Sequence, residues 1–375
     1  MQITCKQSEL SRALTIIGHA ISNRSTLPIL SNVLLKTNED RLHLSATNLE
    51  IAIHCWIEAQ VQEEGAITIP ARLMTDFVNG LPATQVEMTT SQNKDSIFIK
   101  NTRSDATIRG MNADEFPSIP GAENGSDPIT LDAAQLKKAI IEVAFAAAQD
   151  DARPVLTGVL VRISEGYITF VGSNGFCLAV RRLSLPDHAQ IREDILIPAR
   201  TLQELARILP ASGEVQMIVT PNRSQVLFHS QQSDLVSRLI EGTYPDIYSI
   251  LPKKYTTRAV VETKEFAAAL KSVVPFAQDN SYITQVKISQ NAGNGTLIIE
   301  ASTDEVGVNV SRIAAAIDGP DQELLFNIKY LANVLSVIDT AEVALEVTSK
   351  ARPGQLLPVG DTNAQYVIMP MSVNR

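Results

Sequence analysis

Ile195-Leu196-Ile197-Pro198-Ala199-Arg200 repeats Ile67-Thr68-Ile69-Pro70-Ala71-Arg72 almost letter for letter, with Pro198 lying 128 positions after Pro70. A third, looser copy, Leu324-Leu325-Phe326-Asn327-Ile328-Lys329, sets Asn327 129 positions after Pro198 and puts lysine where arginine stood. Each copy is apolar and extended, then changes to a helical period: Met74, Phe77 and Val78; Leu202, Leu205 and Ile208; Leu331, Val334, Leu335 and Ile338. The reading is a strand followed by a helix, three times. Leu81-Pro82 and Leu209-Pro210 close two of these helices, because proline lacks an amide and disfavours helix in the residue before it. The third ends near Asp339 without one.

Upstream of each copy, apolar residues recur at spacings of four, three and four: Leu10, Leu14, Ile17, Ile21; Leu136, Ile140, Val143, Ala147; Phe266, Leu270, Val273, Ala277. Each set is one buried stripe of an amphipathic helix. Ser8, Asp132 and Thr263 stand near the starts, where a side-chain oxygen can accept from unpaired amides. Strand-like runs follow at Ile29–Leu35, Val155–Ile163 and Ile283–Ile288, and again at Leu42–Leu44, Ile168–Val171 and Leu297–Ile299. The units close alike, on Glu115-Phe116-Pro117, Thr243-Tyr244-Pro245 and Ile368-Met369-Pro370.

Three domains follow, 1–125, 126–252 and 253–375, each with two helices and many short strands, and with boundaries near Gly125 and Pro252. The period is too long for a solenoid, so each copy holds its own core. The 375 residues exceed what one core usually fills, and 45% hydrophobic with 19% charged residues is an ordinary globular balance. No apolar run is long enough to span a membrane, and the start MQITCKQSEL lacks the centre of a signal peptide, so a cytoplasmic protein is expected. Cys5, Cys55 and Cys177 make no CxxC pair and fit buried thiols in a reducing compartment.

Catalytic constellations are not legible. His19, His43, His54, His188 and His229 are scattered, without HExxH or zinc spacing, and Gly172-Ser173-Asn174-Gly175 is too short for a phosphate loop and reads as a turn. Asp150-Asp151 and Glu63-Glu64 read as solvated loop charges. No cofactor, metal or enzymatic activity is expected.

The net charge of −9 argues against a wholesale basic nucleic-acid binder, but its distribution is uneven. Helical windows 8–24, 71–80, 132–149, 199–209, 263–275 and 328–338 carry Arg12, Arg24, Arg72, Lys137, Lys138, Arg200, Arg207, Lys264, Lys271 and Lys329. Against them stand Glu9, Asp76, Asp132, Glu142, Glu204 and Glu265, so the helices are +4 and the remainder −13. An ordinary scatter of solvated charges accounts for this. So does a shared helical surface facing a polyanion, with loose phosphate contact that permits movement along a duplex.

Threefold repetition, Arg24-Ser25-Thr26-Leu27-Pro28-Ile29-Leu30, the two IPAR segments, Tyr244-Pro245-Asp246, Phe326-Asn327-Ile328-Lys329-Tyr330 and Tyr366-Val367-Ile368-Met369-Pro370-Met371 together make the chain resemble, from end to end, the bacterial DNA polymerase III beta subunits, the DNA sliding clamps. The resemblance implies an α+β clamp fold of three similar domains, two helices of each on the inner face and antiparallel sheets outside. It implies a head-to-tail homodimeric ring around double-stranded DNA, held without sequence preference. The partners implied are the DNA polymerase III catalytic subunit, the clamp loader complex, and other polymerases and repair proteins carrying a short clamp-binding peptide.

Carried over residue by residue, Ala106, Ile108 and Phe276 match the dimer contact, and Arg24 matches a loop arginine at the ring face. The peptide pocket falls on Leu156, Ser173, Gly175, Phe176, Cys177, Leu178, Pro245, Ile250, Asn327, Tyr330, Val367, Ile368, Met369, Pro370 and Met371, an aliphatic, methionine-rich set suited to several peptides. The chain departs from the family pattern in three places. Phe176-Cys177 replaces a common histidine-arginine pair, Ser249 replaces a common arginine, and Ser372-Val373-Asn374-Arg375 lengthens the tail. The pocket is therefore expected to be more apolar and less positive than usual. A polar DNA-contact position falls on Asp150, an acid. The rival readings are an enzyme of unknown reaction and a protein-interaction scaffold that does not encircle DNA.

Overall fold

The computed structural model describes residues 1–21, 27–119, 127–185, 192–247, 249–278, 281–291, 294–303, 305 and 307–372. Among the described residues six α-helices stand where the apolar stripes put them: α1 (Gln7–Gly18), α2 (Ala71–Asn79), α3 (Ala133–Ala144), α4 (Ala199–Ile208), α5 (Thr263–Val273) and α6 (Ile328–Leu335). Leu10, Leu14, Leu136, Ile140, Phe266 and Leu270 are buried as the periodicity requires.

The two largest shortfalls against the expected windows are at α1 and α3, and they have one cause. After α1 the amides of His19, Ala20 and Ile21 bond carbonyls three residues back, and after α3 those of Ala146 and Ala147 do the same. The chain tightens into 3-10 turns, so Ile21 and Ala147 continue the stripe without continuing the helix. The strands expected from Ile29 and Val155 likewise open as 3-10 turns, Pro28–Ser31 and Pro154–Thr157, each with proline at its start.

At α1 and α5 the expected side-chain caps give way to a main-chain device. Lys6 and Glu262 occupy the caps of α1 and α5 without a side-chain bond. The opening amide of each first helix bonds instead to a carbonyl just before a later strand: Gln7 to Thr84, Ala133 to Gly213, Thr263 to Ala341. The repeat is thus kept in hydrogen bonding as well as in sequence.

Contacts divide the chain into two compact units, residues 1–134 with 204–239, and residues 135–203 with 240–375. The first holds a five-stranded sheet ordered Gln60–Glu63, Gln2–Lys6, Gln85–Thr90, Ser96–Lys100, Asp105–Arg109. Its eight-stranded sheet runs Ile129–Asp132, Glu214–Val219, Gln225–His229, Ser233–Arg238, Ile51–Glu58, Arg41–Thr47, Asn32–Asn38, Ala66–Pro70. The second unit holds a nine-stranded sheet, Glu193–Pro198, Gly158–Ser164, Tyr167–Ser173, Cys177–Ser184, Ala364–Ile368, Gly354–Pro358, Glu342–Val347, Thr257–Glu262, Ala316–Asp318. Its four-stranded sheet runs Gly307–Ala314, Asn294–Thr303, Ile283–Asn291, Gln322–Asn327.

Each large sheet is shared between two sequence repeats. In the first, Ile51–Glu58 pairs antiparallel with Ser233–Arg238; in the second, Cys177–Ser184 pairs antiparallel with Ala364–Ile368. The third strand of a repeat's first half meets the last strand of the next repeat's second half. The corresponding third pair is Gly307–Ala314 and Asp105–Arg109, and among the described residues each of these strands is a sheet edge.

Candidate functional site

The site is built around the turn Ser173-Asn174-Gly175-Phe176. Ser173 Oγ donates to the Cys177 carbonyl at 3.0 Å and accepts from the Gly175 amide at 3.1 Å. Asn174 Oδ1 accepts from the amides of Phe176 at 2.9 Å and Cys177 at 2.8 Å. Gly175 takes φ +89, the left-handed region, and a Cβ there would lie 2.8 Å from Arg153 Nη1. Arg153 braces the turn from outside, its Nη2 donating to the Asn174 carbonyl at 2.7 Å. The Met369 amide bonds the Phe176 carbonyl at 2.8 Å, so the last strand is stitched to this turn.

On one side of the turn, Phe176 stacks on Tyr330 with centroids 6.4 Å apart and planes 10° from parallel. Tyr330 is carried by α6, whose N-cap Asn327 accepts from the Lys329 amide at 2.9 Å. A cavity of about 390 Å³ opens here, lined by Phe145–Asp150, Arg153, Asn174, Phe176, Cys177, Lys329, Tyr330 and Asn333. On the outer face, Leu178 and Val367 pair across the sheet and join Leu160, Val171, Leu196 and Ile247 in one buried cluster. Val155, Val180, Ile240, Tyr244 and Leu251 pack against its margin. Ile250, 45% exposed, stands on the turn after Ile247, whose carbonyl accepts the Ile250 amide at 3.0 Å.

The predicted pocket residues therefore fall into two groups. Leu178 and Val367 belong to the outer cluster, with Ile250 on the segment that covers it. Phe176, Cys177 and Tyr330 line the cavity. Ile368 pairs with Cys177 on the opposite face of the sheet from Leu178 and is fully buried. Leu156 is buried; Ser173, Asn327, Met369, Pro370 and Met371 are half-buried; Gly175 and Pro245 are exposed. The Met371 amide bonds the Leu325 carbonyl at 2.8 Å, which leads the tail along the strand before α6. Ser249, where a cation is common, spends its hydroxyl on the Asp246 carbonyl at 2.8 Å.

Sequence reading missed Arg153, the Phe145–Gln149 segment and Tyr244. The tyrosine was signalled by its place in Tyr-Pro-Asp; Arg153 was signalled by the Pro154 turn that repeats Leu27-Pro28. Tyr244 is held neutral by burial, which raises its phenol above the usual range. Burial also pushes the Cys5, Cys55 and Cys177 thiols up to about 12, so Cys177 is an inert wall of the cavity. Among the described residues no three His, Cys, Asp or Glu side chains gather to hold a metal, and no helix is long and apolar enough to cross a membrane.

The helical cations differ in how free they are. Lys138 is engaged by Asp339 at 2.8 Å and Glu142 at 3.7 Å, and Arg207 by Glu204 at 2.7 Å. Arg72 lies 4.0 Å from Asp76, and Lys329 holds its ammonium 3.4 Å above the Tyr282 ring. Arg200, Lys264 and Lys271 are exposed and make no ion pair among the described residues; Lys137 is half-buried. Arg24 lies outside the described residues, as does Gly125. Ala106 and Ile108 sit on the edge strand Asp105–Arg109, Ile108 buried and Ala106 half-buried, and Phe276 is half-buried in a 3-10 turn after α5.

Three family profiles match the chain in order: the N-terminal domain of the DNA polymerase III beta subunit over residues 1–120, its central domain over 130–246 and its C-terminal domain over 248–372. The chain is 30% identical to the beta sliding clamp of Synechocystis sp. over 99% of each chain, and 28% identical to that of Synechococcus elongatus over the full length of both. Among solved structures it resembles the DNA polymerase sliding clamp of Bacillus subtilis, with TM-score 0.93 and 26% identity over all of both chains. It also resembles the DNA polymerase III subunit beta of Pseudomonas aeruginosa, with TM-score 0.92 and 26% identity over the same coverage. With profiles for all three domains in sequence and relatives matched from end to end, the chain belongs to the DNA polymerase III beta subunit family.

Proposed function

We infer that this chain is a DNA sliding clamp: a non-catalytic processivity factor that holds a polymerase on duplex DNA by topology, enclosure replacing affinity. The observation that carries the reading is the pattern of used and unused strands. Two of three equivalent strand pairings are made within the chain, and the strands of the third, Gly307–Ala314 and Asp105–Arg109, are open edges among the described residues. Val308 on the first of these is 61% exposed. Unpaired strand edges invite pairing, and a head-to-tail contact repeated by rotation closes without leaving one free. A homodimeric ring of six domains follows, with domains at 1–125, 126–252 and 253–375 and with Ala106, Ile108 and Phe276 at the contact.

Within that ring Arg200, Lys264 and Lys271 are the principal phosphate contacts, with Arg24, Arg72, Lys137 and Lys329 adding to them. Lys138 and Arg207 contribute less because carboxylates already hold them. Such contacts are weak and independent of sequence, which lets the ring slide. The Phe176–Tyr330 cavity and the outer Leu178–Val367 cluster receive a short apolar peptide from the polymerase, the clamp loader and repair proteins. A cytoplasmic location follows from partners that work on chromosomal DNA.

The test is product length on a long primed circular template, with cognate polymerase, clamp loader and ATP, with and without the protein. A large lengthening that vanishes when the circle is linearised before extension establishes topological tethering. Unchanged length, together with a monomer in sedimentation, would move the chain to the scaffold reading.

A further inference from the structure

Four residues along the strand from Cys177, on the same face, stands Arg181, a buried arginine 9% exposed. It pairs with Ala364 at one end of the ladder whose other end is Cys177 with Ile368. Arg181 Nη1 bonds the Asp361 carboxylate, in the turn that leads into the last strand, and lies 3.3 Å from Glu142 Oε2 on α3. Lys138, one turn earlier on α3, lies 3.7 Å from Glu142 and 2.8 Å from Asp339 after α6. Tyr366 is fully buried in the last strand. Glu142 is thus faced by Arg181 from the sheet, Lys138 from its own helix, Asp361 and Asp339 from two turns, and Tyr366 from the last strand.

We propose that Arg181 is a positioning residue for peptide docking: bonded to Asp361, with Glu142 beside it, Arg181 fixes the register of the two strands whose far ends line the pocket. The proposal rests on the pocket reading above. Register matters because a slip of the last strand by one residue would carry Val367 to the wrong face of the sheet, away from Leu178. Removing a partner from a buried charge cluster is costly, so the cluster tolerates one arrangement.

The clamp also carries a pH dependence. Burial raises the Glu142 carboxyl to about 7, against the pull of Arg181 and Lys138, with Asp361 and Asp339 adding to the rise. Burial opposes charge on Asp361, yet the Arg181 hydrogen bond and the Asn363 amide leave that carboxyl below the usual range. While Glu142 is neutral, Arg181 belongs to Asp361 alone. Once ionised, Glu142 competes for the guanidinium and the register loosens.

The experiment uses the full chain and a tetramethylrhodamine-labelled, histidine-free peptide, the tightest binder among overlapping fragments of the same cell's replicative polymerase. Fluorescence anisotropy from pH 6 to 8.5 is expected to show Kd rising about tenfold, with its midpoint near the Glu142 ionisation. Glu142→Gln should hold the low-pH Kd throughout. A flat wild-type profile, or a Glu142→Gln profile superimposable on it, overturns the proposal. If no fragment binds at any pH, the pocket reading fails, and amide hydrogen exchange of Ala364–Ile368 at pH 8 decides the clamp alone. Slower exchange in Glu142→Gln than in wild type supports it, and equal exchange ends it.

Discussion

At Thr47-Asn48-Leu49-Glu50 and at Ser173-Asn174-Gly175-Phe176 the chain makes one turn twice. Thr47 Oγ1 donates to the Ile51 carbonyl at 2.8 Å and accepts from the Leu49 amide at 3.0 Å, as Ser173 does for Cys177 and Gly175. Asn48 Oδ1 accepts from Glu50 and Ile51, as Asn174 does from Phe176 and Cys177. The Arg238 amide bonds the Glu50 carbonyl at 3.0 Å where Met369 bonds Phe176. The two shared sheets therefore have one backbone and opposite polarity. The first is charged at its rim, with Glu50 and Arg238, and uncharged at two inner positions, half-buried Ile16 and buried Cys55. The second is apolar at its rim, with Phe176 and Met369, and charged within, with Glu142 and Arg181 at the matching positions. An apolar rim can dock a peptide only if the strands beneath it hold still, and buried charge with one acceptable geometry supplies that fixity.

The largest effect should come from emptying the charged interior. Arg181→Ala removes the buried guanidinium that bonds Asp361 and faces Glu142 and is expected to cost about 3–5 kcal/mol, whereas Cys55→Ala at the matching position of the first sheet costs about 1 kcal/mol. Urea unfolding of both variants measures the contrast; equal losses would mean that the interior charges do not distinguish the sheets.

Next in size is the pH dependence of stability. Glu142 titrates near 7 when folded, against a usual value of 4.5, so between those values the folded chain binds a proton that the unfolded chain has lost. Its contribution is complete below pH 4.5 and is lost as pH rises to 7, a loss of roughly 3 kcal/mol that Glu142→Gln should remove. Unfolding free energies at pH 5 and pH 7.5 check the sign. A variant whose stability falls over this interval as steeply as wild type would exclude Glu142 as the source.

Importing the first rim into the second is the third test. Phe176→Glu replaces the stacked ring on Tyr330 with the residue found at Glu50 and is expected to weaken peptide binding at least tenfold, about 1.4 kcal/mol. Thermal stability should stay within about 0.5 kcal/mol, because Phe176 is 49% exposed. Unchanged peptide affinity would remove the ring from the docking surface.

The sequence announces the fold through the apolar stripes and the IPAR segments, because burying one helical face demands a fixed spacing. It announces the pocket less well. Phe176 and Tyr330 are far apart in the chain, and only the family resemblance placed them in one pocket before the sheet did. Counting charges assigned Lys138 and Glu142 to a helical surface, yet Glu142 is 3% exposed and Lys138 is paired. Charge number is written in a sequence; the direction in which a helix turns its charges depends on what packs against it. The duplicated turn was hidden for a similar reason, since Leu49 does not look like Gly175 although both backbones are left-handed.

That pair gives the smallest and most local prediction. Leu49 sits at φ +73, where its Cβ crowds the following carbonyl at a cost of about 1–2 kcal/mol, while Gly175 sits at φ +89 without that cost. Leu49→Gly relieves the strain but frees the unfolded chain by about 0.5–1 kcal/mol. Leu49 is 44% exposed and gives up little burial, so the net expectation is a gain of about 0.5 kcal/mol in urea unfolding. The reciprocal change at Gly175 must lose, because a new Cβ meets the Arg153 guanidinium as well as the backbone strain. Stabilisation by Leu49→Gly with destabilisation by Gly175→Ala would show one turn tuned in opposite directions by its surroundings; a loss in both would mean that the exposed leucine makes a contact worth more than the strain it carries.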